Sequence, residues 1–143
     1  MTKIKESGMR LLLMLTAVLM LNCVSAQEKK ATIQFDSKKH DFGTINLKKD
    51  SVVYATFLFE NKGNAPLIVY KVTTSCGCTV SEWTKEPVES GNKGSVKIIF
   101  NPKGFSGRFS KSIYVKSNAT EDVIILKIEG EVTDKEKGIF NLF

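Results

Sequence analysis

The sequence predicts an all-β protein, an immunoglobulin-like antiparallel β-sandwich of about seven strands behind an N-terminal signal peptide. Three observations predict it. Short runs of apolar residues alternate with polar ones at period two. Gly, Asn, Pro and Ser clusters separate those runs, and no stretch after the leader carries the 3.6-residue period of a helix. About seven such runs fall between residues 32 and 133, the strand density of an immunoglobulin-like sandwich.

The first 26 residues read as a signal peptide. Lys3, Lys5 and Arg10 form a basic head. Leu11 to Leu21 is apolar except for Thr16, too short for a membrane-spanning helix and suited to a signal h-region. Val24-Ser25-Ala26 supplies compact residues at the cleavage positions, so the cut is expected after Ala26. Cys23 opens an alternative, lipid attachment, which would tether the chain to a membrane. Asn22 argues against it, because a lipoprotein box favours a small residue immediately before the cysteine. Residues 27–31 form a short polar leader.

The strands follow in order. Thr32–Phe35 and His40–Ile45 form a split first strand, with Asp41 and Gly43 at a bend and Phe42 in the core. Ser51–Glu60 is the clearest alternation: Val53, Ala55, Phe57 and Phe59 face inward, and Leu58 is an apolar exception on the polar side. Asn61-Lys62-Gly63-Asn64 is a turn by composition. Leu67–Thr74 opens after Pro66, with Ile68, Tyr70 and Val72 as its expected inward face. A short strand at Thr79–Trp83 precedes Gly94–Phe100, where Val96, Ile98 and Phe100 alternate. Asn101-Pro102-Lys103-Gly104 breaks the pattern. Arg108–Lys116 carries Phe109, Ile113 and Val115, and Asp122–Val132 carries Ile124, Leu126, Ile128 and Val132. Residues 134–143 form a charged, then apolar, tail.

Charge excludes little and suggests less. The signal takes three of the 21 basic and one of the 15 acidic residues, leaving 18 against 14. The excess is scattered lysine, with Arg108 the only arginine beyond the signal. A nucleic-acid reader would cluster arginine and aromatics on one face, and none is expected here. The positive charge reads as a solvated surface.

Sulfur is scarcer. Every methionine and Cys23 lie in the signal, so Cys76 and Cys78, in Thr73-Thr74-Ser75-Cys76-Gly77-Cys78-Thr79, are the only sulfur beyond it, and His40 is the only histidine. Several chemistries fit. Two thiolates grip Cu(I), with His40 as a further ligand, but a closed zinc site needs four ligands and would have to recruit a carboxylate. A disulfide needs Cβ atoms about 3.5–4.5 Å apart. Residues two apart in a strand are separated by about 6.6 Å. The pair therefore closes only if Gly77 acts as a hinge, which glycine does at low cost. Such a small ring would be strained and readily exchanged. The remaining readings are an intermolecular disulfide and two small residues packed at a strand end.

Other residues invite chemistry less strongly. His40 beside Asp41 has the makings of an acid–base pair, but no nucleophile is tied to it. Trp83, the single tryptophan, is a candidate partner contact or a core residue. There is no phosphate cradle and no paired-carboxylate signature. No catalytic residue is assigned, and the chain is not expected to be an enzyme.

Five segments in order carry a family likeness: His40–Ile45, Phe57–Val69, Thr73–Thr79, Phe100–Asn118 and Leu126–Val132. Together they resemble domain-of-unknown-function family 1573, a family of exported bacterial proteins. The likeness spans about residues 33–133. One departure is Ser90 before Gly91, where the family tends to have proline. The resemblance implies a fold similar to major-sperm-protein-like and cilium-associated immunoglobulin-like domains. It implies export to the periplasm or cell surface. It supplies no activity and no catalytic residues.

The expectation is an exported, non-catalytic binding module of the cell envelope, without cofactor, whose partner is another envelope or surface protein. The alternative is a periplasmic thiol-redox or Cu(I)-handling protein using Cys76 and Cys78. A membrane contact is expected only if Cys23 is lipidated.

Overall fold

The structure is a computed structural model that describes residues 28–75 and 79–134. Residues 1–27, Cys76-Gly77-Cys78 and residues 135–143 lie outside the described residues, and with them the expectations for the signal peptide, Cys23, Cys76, Gly77 and Cys78.

The described chain is all β, in eight strands. They are β1 (Ile33–Phe35), β2 (Lys39–Asn46), β3 (Val53–Asn61), β4 (Val69–Thr74), β5 (Thr79–Trp83), β6 (Lys93–Phe100), β7 (Gly107–Ser117) and β8 (Val123–Thr133). Two four-stranded sheets form, β1-β3-β6-β5 and β2-β8-β7-β4. They pack as a sandwich, an architecture compatible with the immunoglobulin-like expectation.

The two halves of the expected first strand belong to different sheets. Asp36 N–H donates to Leu58 O in the first sheet (3.0 Å), and Lys38 O accepts from Lys127 N–H in the second (2.9 Å). A single intervening residue, Ser37, therefore carries the chain across. It enters beside β8 in the same direction, so β2 and β8 pair in parallel, within an otherwise antiparallel fold. The Asp41–Gly43 bend lies inside β2, not between the half-strands. There the β2–β8 register shifts. Gly43 takes φ +64°, which suits glycine, and its N–H donates to Asp41 Oδ1 (2.8 Å). This bulge turns Phe42 inward against Phe100 and Phe109.

Period two holds through the middle of both sheets. Ala55, Phe57 and Phe59 of β3, Val96, Ile98 and Phe100 of β6, and Ile124, Leu126 and Ile128 of β8 are all buried. Phe100 stacks on Phe109 across the two sheets, ring centroids 4.5 Å apart. In β4 the expected face holds at Val72 and fails at Tyr70. Tyr70 is an extra residue between the pairs Val69–Ser117 and Lys71–Lys116. One inserted residue reverses the phase, so Val69 and Val72 are buried and Tyr70 is exposed.

Buried Asn61 ties the turns at one end. Its Nδ2 donates to Ala65 O and Val88 O, both at 2.8 Å. Its Oδ1 accepts from Gly63 N–H (2.9 Å) and Thr32 N–H (3.3 Å). All of its polar capacity is used, as burial demands.

Candidate functional site

The sequence directs attention to two of the seams where the chain crosses between sheets. At the first, β2 carries His40. Its imidazole is half-buried and meets Phe42 edge-on at 4.6 Å and Phe57 at 6.5 Å. Nearby Ser37 Oγ is occupied, donating to Lys39 O (2.7 Å) and accepting from Lys39 N–H (3.2 Å). Asp41 is committed to the bulge. Among the described residues, no nucleophile, base and orienting group come together at His40.

At the second seam the chain passes from β4, an edge of the second sheet, to β5, an edge of the first. Cys76 and Cys78 fall in that passage. Its described flanks are firmly held: Ser75 N–H donates to Ser112 O (3.1 Å), and Thr79 pairs with Phe100. β2 and β4 are opposite edges of one sheet, so His40 and the residues leading into Cys76 stand on opposite sides of the sandwich. Among the described residues, no group of three or more His, Cys, Asp or Glu could hold a metal ion.

Trp83 closes this second seam. Its indole Nε1 donates to Val69 O on β4 (3.1 Å), and its ring packs on the core. The indole is thus half-buried and joins the two sheets, with Lys85 Nζ 5.7 Å from its ring centre.

The sequence reading missed the outer face of β2-β8-β7-β4. Outward residues form rows across it by register: Lys71, Lys116 and Val123; then Thr73, Tyr114 and Ile125; then Ser112 and Lys127 beside Lys39. Among the described residues, four of the six exposed large apolar side chains belong to this sheet: Tyr70 (56% exposed), Tyr114 (41%), Val123 (38%) and Ile125 (55%). The other two, Tyr54 and Leu58, are on β3, and the Tyr54 ring is capped by Lys97 Nζ at 5.0 Å.

Farther along the same face the chemistry changes. An open groove of about 570 Å³ lies over the β2 bulge, bordered by Asp41, Arg108, Glu129 and Glu131. Arg108 stands opposite Glu131 in the β7–β8 register. Lys39 Nζ meets Glu129 Oε1 at 2.6 Å, and this hydrogen bond and the Glu129 charge hold the Lys39 ammonium above its ordinary pKa. The face is therefore divided. One half is apolar and lysine-rich, and the other is a groove bordered by three carboxylates and one arginine.

The family of proteins described as Protein of unknown function (DUF1573) matches residues 33–132. The chain belongs to the DUF1573 family. No curated protein matches it. Among solved structures, this DUF1573 domain is similar to a protein of unknown function from Porphyromonas gingivalis W83. The TM-score is 0.64 at 17% identity, over 77% of this chain and 51% of that one. It is also similar to part of a family 123 glycoside hydrolase from Clostridium perfringens. There the TM-score is 0.54 at 12% identity, over 73% of this chain and 27% of that one. A third likeness is to part of the VesB protease of Vibrio cholerae, with TM-score 0.53 at 12% identity, over 71% and 31%. The chain spans about half the length, or less, of these structures. At such identities the likeness shows the shared fold alone.

Proposed function

We propose that this DUF1573 domain is an exported, non-catalytic interaction module, and that it binds another protein of the cell envelope through the outer face of β2-β8-β7-β4. One observation carries the reading. Tyr114 and Ile125 are register partners at solvent-facing positions, and Val123 and Tyr70 extend the apolar surface around them. Isolated exposed apolar residues are ordinary, but a grouped set on one sheet face is the mark of an interaction surface. Aromatic side chains supply contact area at low entropic cost, which suits Tyr114 and Tyr70 to this role. Export rests on the signal-like first 26 residues.

Two paired variants test it. Tyr114→Ser with Ile125→Ser is expected to abolish co-purification of the envelope partner. Tyr54→Ser with Leu58→Ser, on the other sheet, is expected to preserve it. Equal retention by both, with both folded, would overturn the assignment of this face.

The thiol or Cu(I) alternative rests on the sequence pair Cys76 and Cys78. It predicts two reactive thiols after mild reduction, or stoichiometric Cu(I) on the purified protein. If both thiols resist labelling in the folded state and no metal co-purifies, that alternative fails.

A further inference from the structure

The partner's form can be read from the backbone beside the patch. Along β8 the peptide groups point alternately to either side. Asp122 O accepts from Ser117 N–H on β7 (2.9 Å), so even-numbered residues bond toward β7. Lys127 N–H donates to Lys38 O (2.9 Å), so odd-numbered residues point toward β2. But β2 begins at Lys39, opposite Lys127, and before Lys38 the chain has left for the other sheet. The N–H and C=O groups of Val123 and Ile125 therefore face a notch with no strand alongside among the described residues. No backbone hydrogen bond among the described residues reaches them. Their side chains are the exposed apolar residues of the patch.

We infer that this notch accepts an extended, acidic peptide segment of the partner by strand addition, in line with β2. The inference rests on the proposed interaction face and deepens it. Strand addition would satisfy the open peptide groups of Val123 and Ile125 and cover their side chains at once. Charge selects the occupant. Lys71, Lys116 and Lys127 lie in the three rows around the notch, and none of them forms an ion pair among the described residues. Those rows contain no carboxylate. The carboxylates beyond them are Asp36 at the chain crossing, Glu121 and Asp122 on the turn, and Glu129, already held by Lys39. A second copy pairing through the same edge would set lysine against lysine. The chain's own C-terminal tail, from Asp134 to Phe143, sets two lysines against two carboxylates and so is not an acidic segment. An acidic strand with alternating apolar residues complements both the charge and the pleat.

The test is amide hydrogen exchange on the purified protein, with a capped decapeptide of alternating Glu and Val, and its Lys–Val counterpart as control. The Glu–Val peptide is expected to slow exchange at Val123 and Ile125 by roughly tenfold or more, in a salt-sensitive manner. The Lys–Val peptide is expected to do nothing. Lys116→Glu with Lys127→Glu is expected to abolish the protection while leaving the fold intact. If both peptides protect equally, the acidic class is wrong. If the Glu–Val peptide shifts Tyr70 and Tyr114 signals without protecting Val123 and Ile125, strand addition is overturned while the interaction face stands. Protection already present in a self-associated form would assign the edge to a second copy and overturn the inference. Partner binding by a Tyr114→Ser variant, which leaves Val123 and Ile125 intact, is read apart from peptide protection, so failure of the face and failure of the notch are distinguished.

Discussion

Tyr114 on β7 and Ile125 on β8 face each other across the sheet on its solvent side, 41% and 55% exposed, while their chain neighbours Ile113, Val115, Ile124 and Leu126 are buried. The pair thus puts apolar surface on both faces of one sheet. A folding role needs only the inner one. Cross-strand pairs of this kind contribute about 0.2–1 kcal/mol. Replacing both residues with serine is therefore expected to lower stability by about 1 kcal/mol or less. Urea denaturation checks this, and a loss of several kcal/mol would mean that the face is structural.

Asn61 is the opposite case, a polar side chain the fold depends on. Its amide satisfies Ala65 O, Val88 O, Gly63 N–H and Thr32 N–H from a fully buried position. Each buried group left unpaired costs about 1–3 kcal/mol. Asn61→Ala is expected to destabilise by about 2–4 kcal/mol, without altering Val123 or Ile125. Thermal unfolding, with exchange at the two amides as a control, would show it.

Gly94 lies opposite Phe59 in the β3–β6 register, and a Cβ there would sit 2.3 Å from the Phe59 ring. The ring occupies the space that the glycine leaves. Gly94→Ala is expected to cost about 1–3 kcal/mol by overpacking. A companion Phe59→Leu should recover part of that loss, since it removes the clashing ring. Additive losses in a double-mutant cycle would contradict this account.

Much of the fold is legible in the sequence because β3, β6 and β8 each keep one face on the core, so period two runs through them unbroken. Tyr70 shows the limit. A single extra residue reverses the parity of β4, and nothing in Leu67–Thr74 marks which residue is the extra one. The parallel pairing of β2 with β8 is likewise invisible, because alternation records which face is buried and not which strand lies alongside. The candidate face was written in the sequence but masked. Tyr114 lies in Ile113-Tyr114-Val115 and Ile125 in Ile124-Ile125-Leu126, where core neighbours hide apolar residues of the outward parity. Lys71, Lys116 and Lys127 look scattered along the chain, and only the register gathers them.

The cysteine pair separates the two functional readings. Cys76→Ser with Cys78→Ser is expected to leave partner co-purification unchanged, since the proposed face is built from β4, β7 and β8. The check is the yield of partner from native envelope at equal amounts of folded protein. Loss of the partner, with folding retained, would shift the account to the thiols.

The most direct measurement is site-specific photo-crosslinking in intact envelope, with the probe at position 114 and, separately, at position 54 on the opposite sheet. The account predicts one discrete crosslinked product from position 114 and none from position 54. A product from position 54 alone, or equal products from both, would contradict the claim that the outer face of β2-β8-β7-β4 is where this protein meets its partner.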